Sequence, residues 1–175
     1  MALIICYECG GRISDKANAC PHCGAPSEKI IIEKNDVGIV IDGVRWATHN
    51  LGSSKIEGFG KYYTWEEAKR ACPQGWRLPT CKELQSLFNV NRVRTEINGI
   101  LGENFGNKIF LPAAGCYRKG SPLNIGREIF YWSSEEMGNN CAYLLRFDSR
   151  PFITFCDKTD RCSVRYIAEN TFGHF

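Results

Sequence analysis

The sequence predicts an α+β fold in which a domain with two helices and an antiparallel sheet follows a small metal-binding module. Two capping boxes, Thr64 with Glu67 and Thr80 with Glu83, each precede apolar residues at helical spacing and indicate two helices. Short runs with a period of two follow, which is typical of strands with one face on a core. Helices near the start followed by many short strands favour an α+β domain. Regularly spaced cysteines near the N-terminus predict the metal-binding module.

Size and composition limit the classes of function. The chain has 175 residues, of which 43% are hydrophobic and 23% charged, so it is globular and long enough for one domain with a small addition. The net charge of +3 is too small to predict a nucleic-acid partner. No apolar stretch is long enough to span a bilayer, so membrane insertion is not expected. Residues 1–6 lack the basic region of a secretory signal, which predicts a cytoplasmic protein and leaves export by another route open.

The first 23 residues contain four cysteines in two pairs, Cys6 with Cys9 and Cys20 with Cys23. Each pair is a C-x2-C turn followed by glycine, and ten residues separate the pairs. This spacing places four thiolates around one Zn²⁺, and a four-cysteine site leaves no coordination position for catalysis. The segment is similar to the small zinc ribbons at the N-termini of many bacterial proteins. We therefore expect a structural zinc ribbon over residues 1–26, with an unknown partner; docking and a purely structural role are both open.

A short linker is predicted over residues 27–36, a second domain over 37–169 and a tail over 170–175. Asp42-Gly43 lies between two apolar runs and predicts a hairpin turn near the start of the second domain.

Later in this domain, Ile97, Ile100 and Leu101 indicate a further short helix or turn. Residues 109–115 and 130–134 are apolar runs that predict buried strands.

The C-terminal stretch from Asn140 to Ile167 has an unusual composition. Tyr143, Leu145 and Phe147 alternate with an outer set, which predicts a strand with these three residues facing the core. The predicted outer set mixes apolar and charged types: Leu144, Arg146 and Asp148. Aromatic, thiol and charged residues continue beyond it, which resembles a contact surface. An ordinary connection between two strands is the alternative that the residues leave open.

Several motifs of the second domain resemble the Fibrobacter succinogenes major paralogous domain, a family common in Bacteroidetes. The motifs that carry the resemblance are Trp46-Ala-Thr-His-Asn-Leu51, Tyr62-Tyr-Thr-Trp65, Cys72-Pro-Gln-Gly-Trp-Arg-Leu-Pro-Thr80, Leu111-Pro-Ala-Ala-Gly115, Tyr131-Trp-Ser-Ser134, Ala142-Tyr-Leu-Leu-Arg-Phe147 and Ser163-Val-Arg165. The resemblance covers roughly residues 37–168 and implies a C-type-lectin-like fold without an established activity.

Most of these motif residues are expected to be structural. Trp76, Leu78, Trp132 and Phe147 are predicted to belong to the core. Two arginines within apolar runs, Arg77 and Arg165, are expected to pair with backbone carbonyls or carboxylates.

The last strands and loop also resemble the variable proteins of diversity-generating retroelements. In those proteins Asn codons become NNC codons, which cannot encode Lys, Glu, Gln, Trp or Met. These five types account for 31 of the 175 residues, but for only one of the 28 from Gly138 to Arg165, namely Lys158. Strands contain few Lys and Glu in any case, so a β-rich segment without diversification remains the competing explanation.

Other chemistry of this fold class lacks its residues. A calcium-dependent sugar site requires Glu-Pro-Asn or Gln-Pro-Asp and Trp-Asn-Asp motifs, which the sequence lacks, so no Ca²⁺ is expected. A formylglycine-generating enzyme, whose fold is similar, needs a paired-cysteine copper site late in the domain. Cys156 and Cys162 are the pair that would have to supply it, and no Ser-His-Asp or Cys-His set stands out.

The sequence therefore favours a non-enzymatic binding protein whose ligand is a protein or a glycan. Two alternatives stay open: an enzyme of the formylglycine-generating kind, and a structural or assembly module docked through the ribbon. The predicted ligand-binding residues are Leu144, Arg146, Asp148, Ser149, Arg150, Phe152, Thr154, Phe155, Cys156, Asp157, Thr159, Asp160, Arg161 and Cys162.

Overall fold

The computed structural model describes residues 3–5, 12–14, 17–24, 36 and 38–169. Contacts divide the chain into two units, Met1–Asp36 and Val37–Phe175. The predicted ligands Cys6 and Cys9, residues 27–35 of the predicted linker and the predicted tail lie outside the described residues.

In the first unit, strand β1 (Leu3–Ile5) pairs antiparallel with β2 (Arg12–Ser14). A turn follows at residues 21–23, and the Gly24 N–H donates to the Cys20 carbonyl at 2.8 Å. Gly24 has a φ of +74°, a conformation that glycine adopts without steric cost. Cys20 and Cys23 therefore stand at the two ends of one tight turn.

The second unit has two short helices in its described part, α1 (Trp65–Ala71) and α2 (Cys81–Ser86). A 3-10 turn, Leu87–Asn89, extends α2. Both predicted capping boxes are confirmed, since each N-cap threonine and the glutamate three residues later exchange hydrogen bonds. Helix α1 ends at Cys72, which precedes a proline and is extended.

Strands make up most of the rest of this unit, as the sequence predicts for an α+β domain. They are β3 (Ile39–Ile41), β4 (Val44–Trp46), β5 (Trp76–Arg77), β6 (Arg92–Ile97), β7 (Ile100–Phe105), β8 (Ile109–Pro112), β9 (Cys116–Arg118), β10 (Ser121–Leu123), β11 (Ile129–Met137), β12 (Cys141–Phe147), β13 (Pro151–Asp157), β14 (Arg161–Cys162) and β15 (Ile167–Ala168).

These strands form four antiparallel sheets, with the orders β3-β4-β15-β5, β6-β7-β8, β10-β9-β14 and β11-β12-β13. Ile167 in β15 lies opposite Trp46 in β4, so strands from the two ends of the unit pair with each other. The sheet β11-β12-β13 is a meander of consecutive strands.

Two hairpins show how turn residues set the strand register. Asp42 and Gly43 both have positive φ and join β3 to β4, as predicted. Asn98 and Gly99 likewise have positive φ and join β6 to β7. The turn predicted near Ile97 is therefore confirmed, whereas the alternative of a short helix is wrong. Asn-Gly is the favoured pair for a two-residue hairpin, and it decides the structure over the helical spacing of the neighbouring isoleucines.

The core of the second unit consists of two clusters, one on each face of β12. The first contains Trp65 and Ala68 of α1, and the second Leu84 of α2. Strand β12 contributes Ala142 and Leu144 to the first cluster, and Leu145 and Phe147 to the second. Trp132, Leu78 and Phe147 are buried as expected, whereas Trp76 is only partly buried.

Residues of three motifs quoted for the family resemblance, 46–51, 131–134 and 163–165, meet around Arg165, which is fully buried. Its guanidinium donates to Oδ1 of Asn50, to the Ala47 carbonyl at 3.1 Å and to the Phe110 carbonyl at 2.9 Å. The hydroxyl of Tyr131 donates to the same Asn50 oxygen at 2.8 Å. The expectation for Arg165 is therefore confirmed: this residue ties distant segments of the chain together.

No helix in the described ranges is long and apolar enough to cross a membrane.

Candidate ligand-binding surface

Four of the fourteen predicted ligand-binding residues are buried, so their assignment to an exposed contact surface is wrong. They are Leu144, Cys156, Asp160 and Cys162. The prediction assumed that only one face of the strand was covered, but both faces of β12 lie on a core cluster. Leu144, Cys156 and Cys162 belong to the first cluster. Asp160 accepts a hydrogen bond from Arg118 at 3.3 Å, and this ion pair offsets the cost of burying its carboxylate.

The other ten residues do not share one face. Arg146 lies opposite Phe152, and Thr154 lies opposite Leu144, so these side chains stand on the face of the first core cluster. Phe155 lies opposite Tyr143 on the other face and is 48% exposed. The predicted surface is therefore divided between two faces of the sheet and the turns beside it.

Arg146 is a structural link rather than an open contact. Its Nε donates to Glu128 at 2.8 Å, and its guanidinium lies over the rings of Phe130 and Phe152 at 5.4 and 5.8 Å. The hydrogen bond with Glu128 raises the pKa of Arg146. Its Nε and the face of its guanidinium are thus engaged by its own domain.

The turn between β12 and β13 contains the candidates Asp148, Ser149 and Arg150. The Asp148 carboxylate accepts hydrogen bonds from the Ser149 N–H, the Ser149 hydroxyl and the Arg150 N–H. The backbone N–H of Ser149 is the main cause that lowers the pKa of Asp148. The turn is thus stabilised by its own side chains. The Arg150 side chain is exposed beside it.

A similar turn follows β13. Asp157 accepts hydrogen bonds from the Thr159 hydroxyl at 2.7 Å and from its N–H at 2.8 Å, and the Thr159 hydroxyl is the main cause that lowers the pKa of Asp157. Lys158, between them, donates to Glu136 and to the Asn139 carbonyl and lies 4.7 Å from the Trp65 ring. In this turn the Lys158 side chain therefore binds to its own domain, whereas its neighbours Asp157 and Thr159 are exposed.

Arg161 is a candidate residue that lines an open groove. A groove of about 430 Å³ is lined by Lys61, Tyr62, Tyr63, Glu67, Arg70, Ala71 and Arg161. The guanidinium of Arg161 donates to both carboxylate oxygens of Glu67, at 2.7 and 3.1 Å, and to the Tyr62 carbonyl at 3.3 Å. The lining contains three cationic residues and one carboxylate, so the groove is electropositive.

Contacts behind the groove hold the side chain of Tyr62 in place. The Tyr62 hydroxyl donates to the Ala114 carbonyl at 2.6 Å, and its ring meets that of Tyr117 edge to face at 4.9 Å. Burial, and then the nearby Tyr117, raise the pKa of Tyr62 to about 12, so the hydroxyl remains a donor. The Thr64 N–H and Arg161 lower the pKa of Glu67 against the opposing effect of burial. The groove therefore has its aromatic and charged groups held in place.

Sequence reasoning missed the tyrosines of the groove. Tyr62 and Tyr63 stand out in the sequence as part of a family motif before a capping box, and Glu67 as the partner of Thr64, but none of the three is predicted to contact a ligand. The contact between Glu67 and Arg161 joins residues 94 positions apart, and no local pattern indicates it.

Within the part of the chain that the structure describes, no group of three or more His, Cys, Asp or Glu side chains could hold a metal ion. Two of the four predicted zinc ligands, Cys6 and Cys9, fall outside that part.

Comparison of the chain with protein-family models, with curated proteins and with solved structures found no match.

Proposed function

We propose that the second unit is a C-type-lectin-like domain that binds a protein or glycan ligand without catalysing a reaction. One observation carries this proposal: the electropositive groove brings Arg161, from the stretch predicted to bind ligand, next to Tyr62 and Tyr63. Arginine and tyrosine are the residue types that contribute most to contact energies at protein surfaces. Concave sites with fixed aromatic walls and a few charged groups are the usual places where ligands bind.

The family resemblance supports the fold part of this proposal. Its motifs supply Ala47, Asn50, Tyr131 and Arg165 of the Arg165 cluster, and also Arg77, which forms a bidentate ion pair with Glu83 at 2.9 and 2.7 Å. Both sets hold the domain together rather than form a site. These motif residues therefore stabilise the fold. Other parts of the surface remain available for a ligand.

The alternative of a formylglycine-generating enzyme is not proposed. It requires a cysteine pair that a substrate thiol can reach, but Cys162 is fully buried and Cys156 nearly so. The alternative of an assembly module is separated from ligand binding by the experiment described below.

Diversification of the C-terminal stretch is part of the proposal. Lys158, the single residue there of a type that NNC codons exclude, is also the one whose side chain is anchored by Glu136 and Asn139. An anchored position between exposed positions is the arrangement that a diversified surface would need. The nucleotide sequence tests it: a near-copy of codons 140–165 that differs only at adenines, beside a reverse transcriptase gene, is expected, and the absence of both contradicts it.

For the first unit we propose a structural zinc ribbon with Cys6, Cys9, Cys20 and Cys23 as ligands. The described half supports this, because the Cys20–Gly24 turn holds two thiols within one turn of backbone, and thiolates are preferred ligands of Zn²⁺. The bound ion would hold the two turns together. Metal analysis of the purified chain should find one zinc per chain. Cys20→Ser should lose it, whereas the matched variant Cys72→Ser should retain it; equal zinc contents would contradict the assignment.

The ligand proposal is tested by capture on an immobilised glycan panel and by selection from a displayed peptide library. Arg161→Ala should lose at least tenfold in affinity for whatever the natural chain selects, because the variant loses charge and contact area in the groove. The control Lys82→Ala changes an exposed cation of α2 that does not line the groove.

The fold of Arg161→Ala should persist, since exposed ion pairs contribute only about 0–1 kcal/mol. If the natural chain selects nothing from either library, or if Arg161→Ala binds its selected ligand as well as Lys82→Ala does, the groove is not a ligand site. The assembly alternative would then be favoured.

A further inference from the structure

Three thiols meet inside the first core cluster. Cys116 of β9, Cys156 of β13 and Cys162 of β14 are all buried there. Burial, and then side-chain hydrogen bonding to Cys116 and Cys156, raises the pKa of Cys162 well above its usual value. No disulfide joins any of the described cysteines in this structure.

Backbone hydrogen bonds define the geometry of one pair among the three. Cys162 lies directly opposite Cys116 in the antiparallel pairing of β14 with β9. The N–H and the carbonyl of Cys162 both bond to Tyr63, on its other side, each at 3.0 Å. In an antiparallel sheet the N–H and C=O of one residue point to the same side. Cys162 therefore has neither group directed at Cys116, and the two form a non-hydrogen-bonded pair.

That type of pair places the thiols at the right separation for a covalent bond. Directly opposite residues at non-hydrogen-bonded positions have Cα atoms about 4.5 Å apart and their side chains on the same face. Disulfides form at Cα separations of roughly 4.4–6.8 Å. Cys156 has no such backbone relationship to Cys162, because β13 belongs to the β11-β12-β13 sheet.

We propose that Cys116 and Cys162 are an oxidisable pair that forms a cross-strand disulfide with a peroxide as oxidant. The Cys116 thiolate attacks one peroxide oxygen, which gives a sulfenic acid and releases hydroxide. The Cys162 thiol then gives up its proton, and its sulfur attacks the Cys116 sulfur, which expels the hydroxyl group as water. The two thiols lose two electrons and two protons in total, and one hydrogen peroxide becomes two waters.

The surroundings of the two thiols favour this order of events. A hydrogen bond from Cys162 lowers the pKa of Cys116 and Arg118 acts in the same direction, with burial opposing both. Burial raises the pKa of Cys162 well above its usual value. Cys116 is therefore the thiolate that reacts first. A peroxide is close to water in size, and β14 is only two residues long, so a small local opening admits it.

The disulfide would connect two strands that support the groove. Arg161 precedes Cys162 in β14, and Tyr117, which contacts Tyr62, follows Cys116 in β9. Oxidation would fix the register in which Arg161 and Tyr117 lie opposite each other. The two thiols can be oxidised in this way whether or not the groove binds a ligand.

The experiment treats the full chain with hydrogen peroxide under native conditions, blocks remaining thiols under denaturing conditions and digests it with trypsin without reduction. The three cysteines fall on separate tryptic peptides, residues 109–118, 147–158 and 162–165. The expected product is peptide 109–118 linked to 162–165, with the loss of two hydrogen atoms from the intact chain. The oxidised chain should also melt about 5–10 °C higher than the reduced chain.

Variants identify the partners. Cys156→Ser should retain both the linked peptide and the rise in melting temperature, whereas Cys116→Ser should lose both. A link between peptides 147–158 and 162–165, or three unlinked peptides after a treatment that oxidises exposed thiols, would overturn the proposal. The peptide map of the natural chain gives this result even if a variant fails to fold.

Discussion

Arg165 donates two hydrogen bonds to a single acceptor, the Oδ1 atom of Asn50, at 3.0 Å from Nε and 2.7 Å from Nη2. Both residues are fully buried, and Asn50 also accepts from the Tyr131 hydroxyl. The amide nitrogen of Asn50 donates to the Phe59 carbonyl at 3.0 Å. One side-chain amide thus joins a buried cation, a buried phenol and a loop carbonyl, so its environment requires an asparagine.

Replacing Asn50 by alanine should destabilise the domain strongly. The change leaves the buried guanidinium and the Tyr131 hydroxyl without this acceptor, and hydrogen bonds to charged groups contribute roughly 1.5–3 kcal/mol each. We expect a loss of about 3 kcal/mol in the free energy of unfolding, measured by urea denaturation. The control Asn139→Ala, in an exposed turn, should change it by less than about 0.5 kcal/mol. Equal effects of the two substitutions would contradict the role assigned to Asn50.

The ion pair of Glu83 with Arg77 predicts a pH dependence of stability. Burial acts to raise the pKa of Glu83, but hydrogen bonds from Arg77 and Thr80 outweigh it and lower the pKa to about 2. A carboxylate with a lowered pKa stabilises the folded state above its unfolded value of about 4.5, and this contribution disappears as the pH falls towards 2. The partly exposed pair is screened by solvent, so we expect about 1–2 kcal/mol.

Urea unfolding of the natural chain and of Glu83→Gln at pH 6 and at pH 2.5 isolates this effect. The difference between the two proteins should be largest at pH 6 and should shrink at pH 2.5, because the carboxyl is protonated in the unfolded chain at that pH and begins to be protonated in the folded one. The control Glu66→Gln removes an exposed carboxylate that pairs with Lys69 on the same helix. A difference for Glu83→Gln that stays constant with pH would show that the ion pair does not contribute in this way.

Local sequence signals predicted the local structure of this chain well. Capping boxes at Thr64 and Thr80 and the turn at Asp42-Gly43 depend on neighbours within a few residues, and each is confirmed. The buried strand from Ile109 follows equally from its apolar run. The sequence also predicts the type of group that Arg77 and Arg165 bind, because a cation among apolar residues needs hydrogen-bond acceptors.

The candidate surface could be predicted only in part, because burial depends on the whole fold. Alternation along residues 143–148 indicated one covered face, and nothing local shows that a second core cluster covers Leu144. Asp160 has the sequence character of a loop acid, but Arg118, distant in the chain, offsets the cost of burying its carboxylate. The groove at Arg161 is likewise built from contacts between α1 and β14, which no periodicity reveals.

Two glycines on either side of the hairpin β9-β10 should respond differently to the same substitution. Gly115 and Gly126 have similar positive φ values, +62° and +77°, so an alanine at either position is strained by roughly 1–2 kcal/mol. A Cβ on Gly115 would lie 2.4 Å from the Leu123 carbonyl oxygen and 2.5 Å from the Ile125 nitrogen, whereas a Cβ on Gly126 would meet nothing within 4 Å.

Gly115→Ala should therefore lower the free energy of unfolding by roughly 1–3 kcal/mol more than Gly126→Ala does. Thermal unfolding of the two variants beside the natural chain measures this difference. Because backbone strain is common to both, only the close approach of the backbone at Gly115 separates them. Similar decreases in the free energy of unfolding of the two variants would mean that the backbone around Gly115 shifts to accommodate the added methyl group.

Leu144 and Phe155 lie on adjacent strands and were both predicted to contact ligand, yet the structure assigns them opposite roles. Leu144 is 1% exposed in the first core cluster, and Phe155 is 48% exposed. Leu144→Ala should reduce the free energy of unfolding by about 2–5 kcal/mol through lost burial and the cavity left behind. Phe155→Ala should change it by less than about 1 kcal/mol, since about half of that residue stays exposed in the folded state. Urea denaturation of both variants measures the two changes in the free energy of unfolding. A large decrease for Phe155→Ala would place this aromatic ring among the residues that stabilise the domain. A small decrease leaves the ring available for contact with a partner.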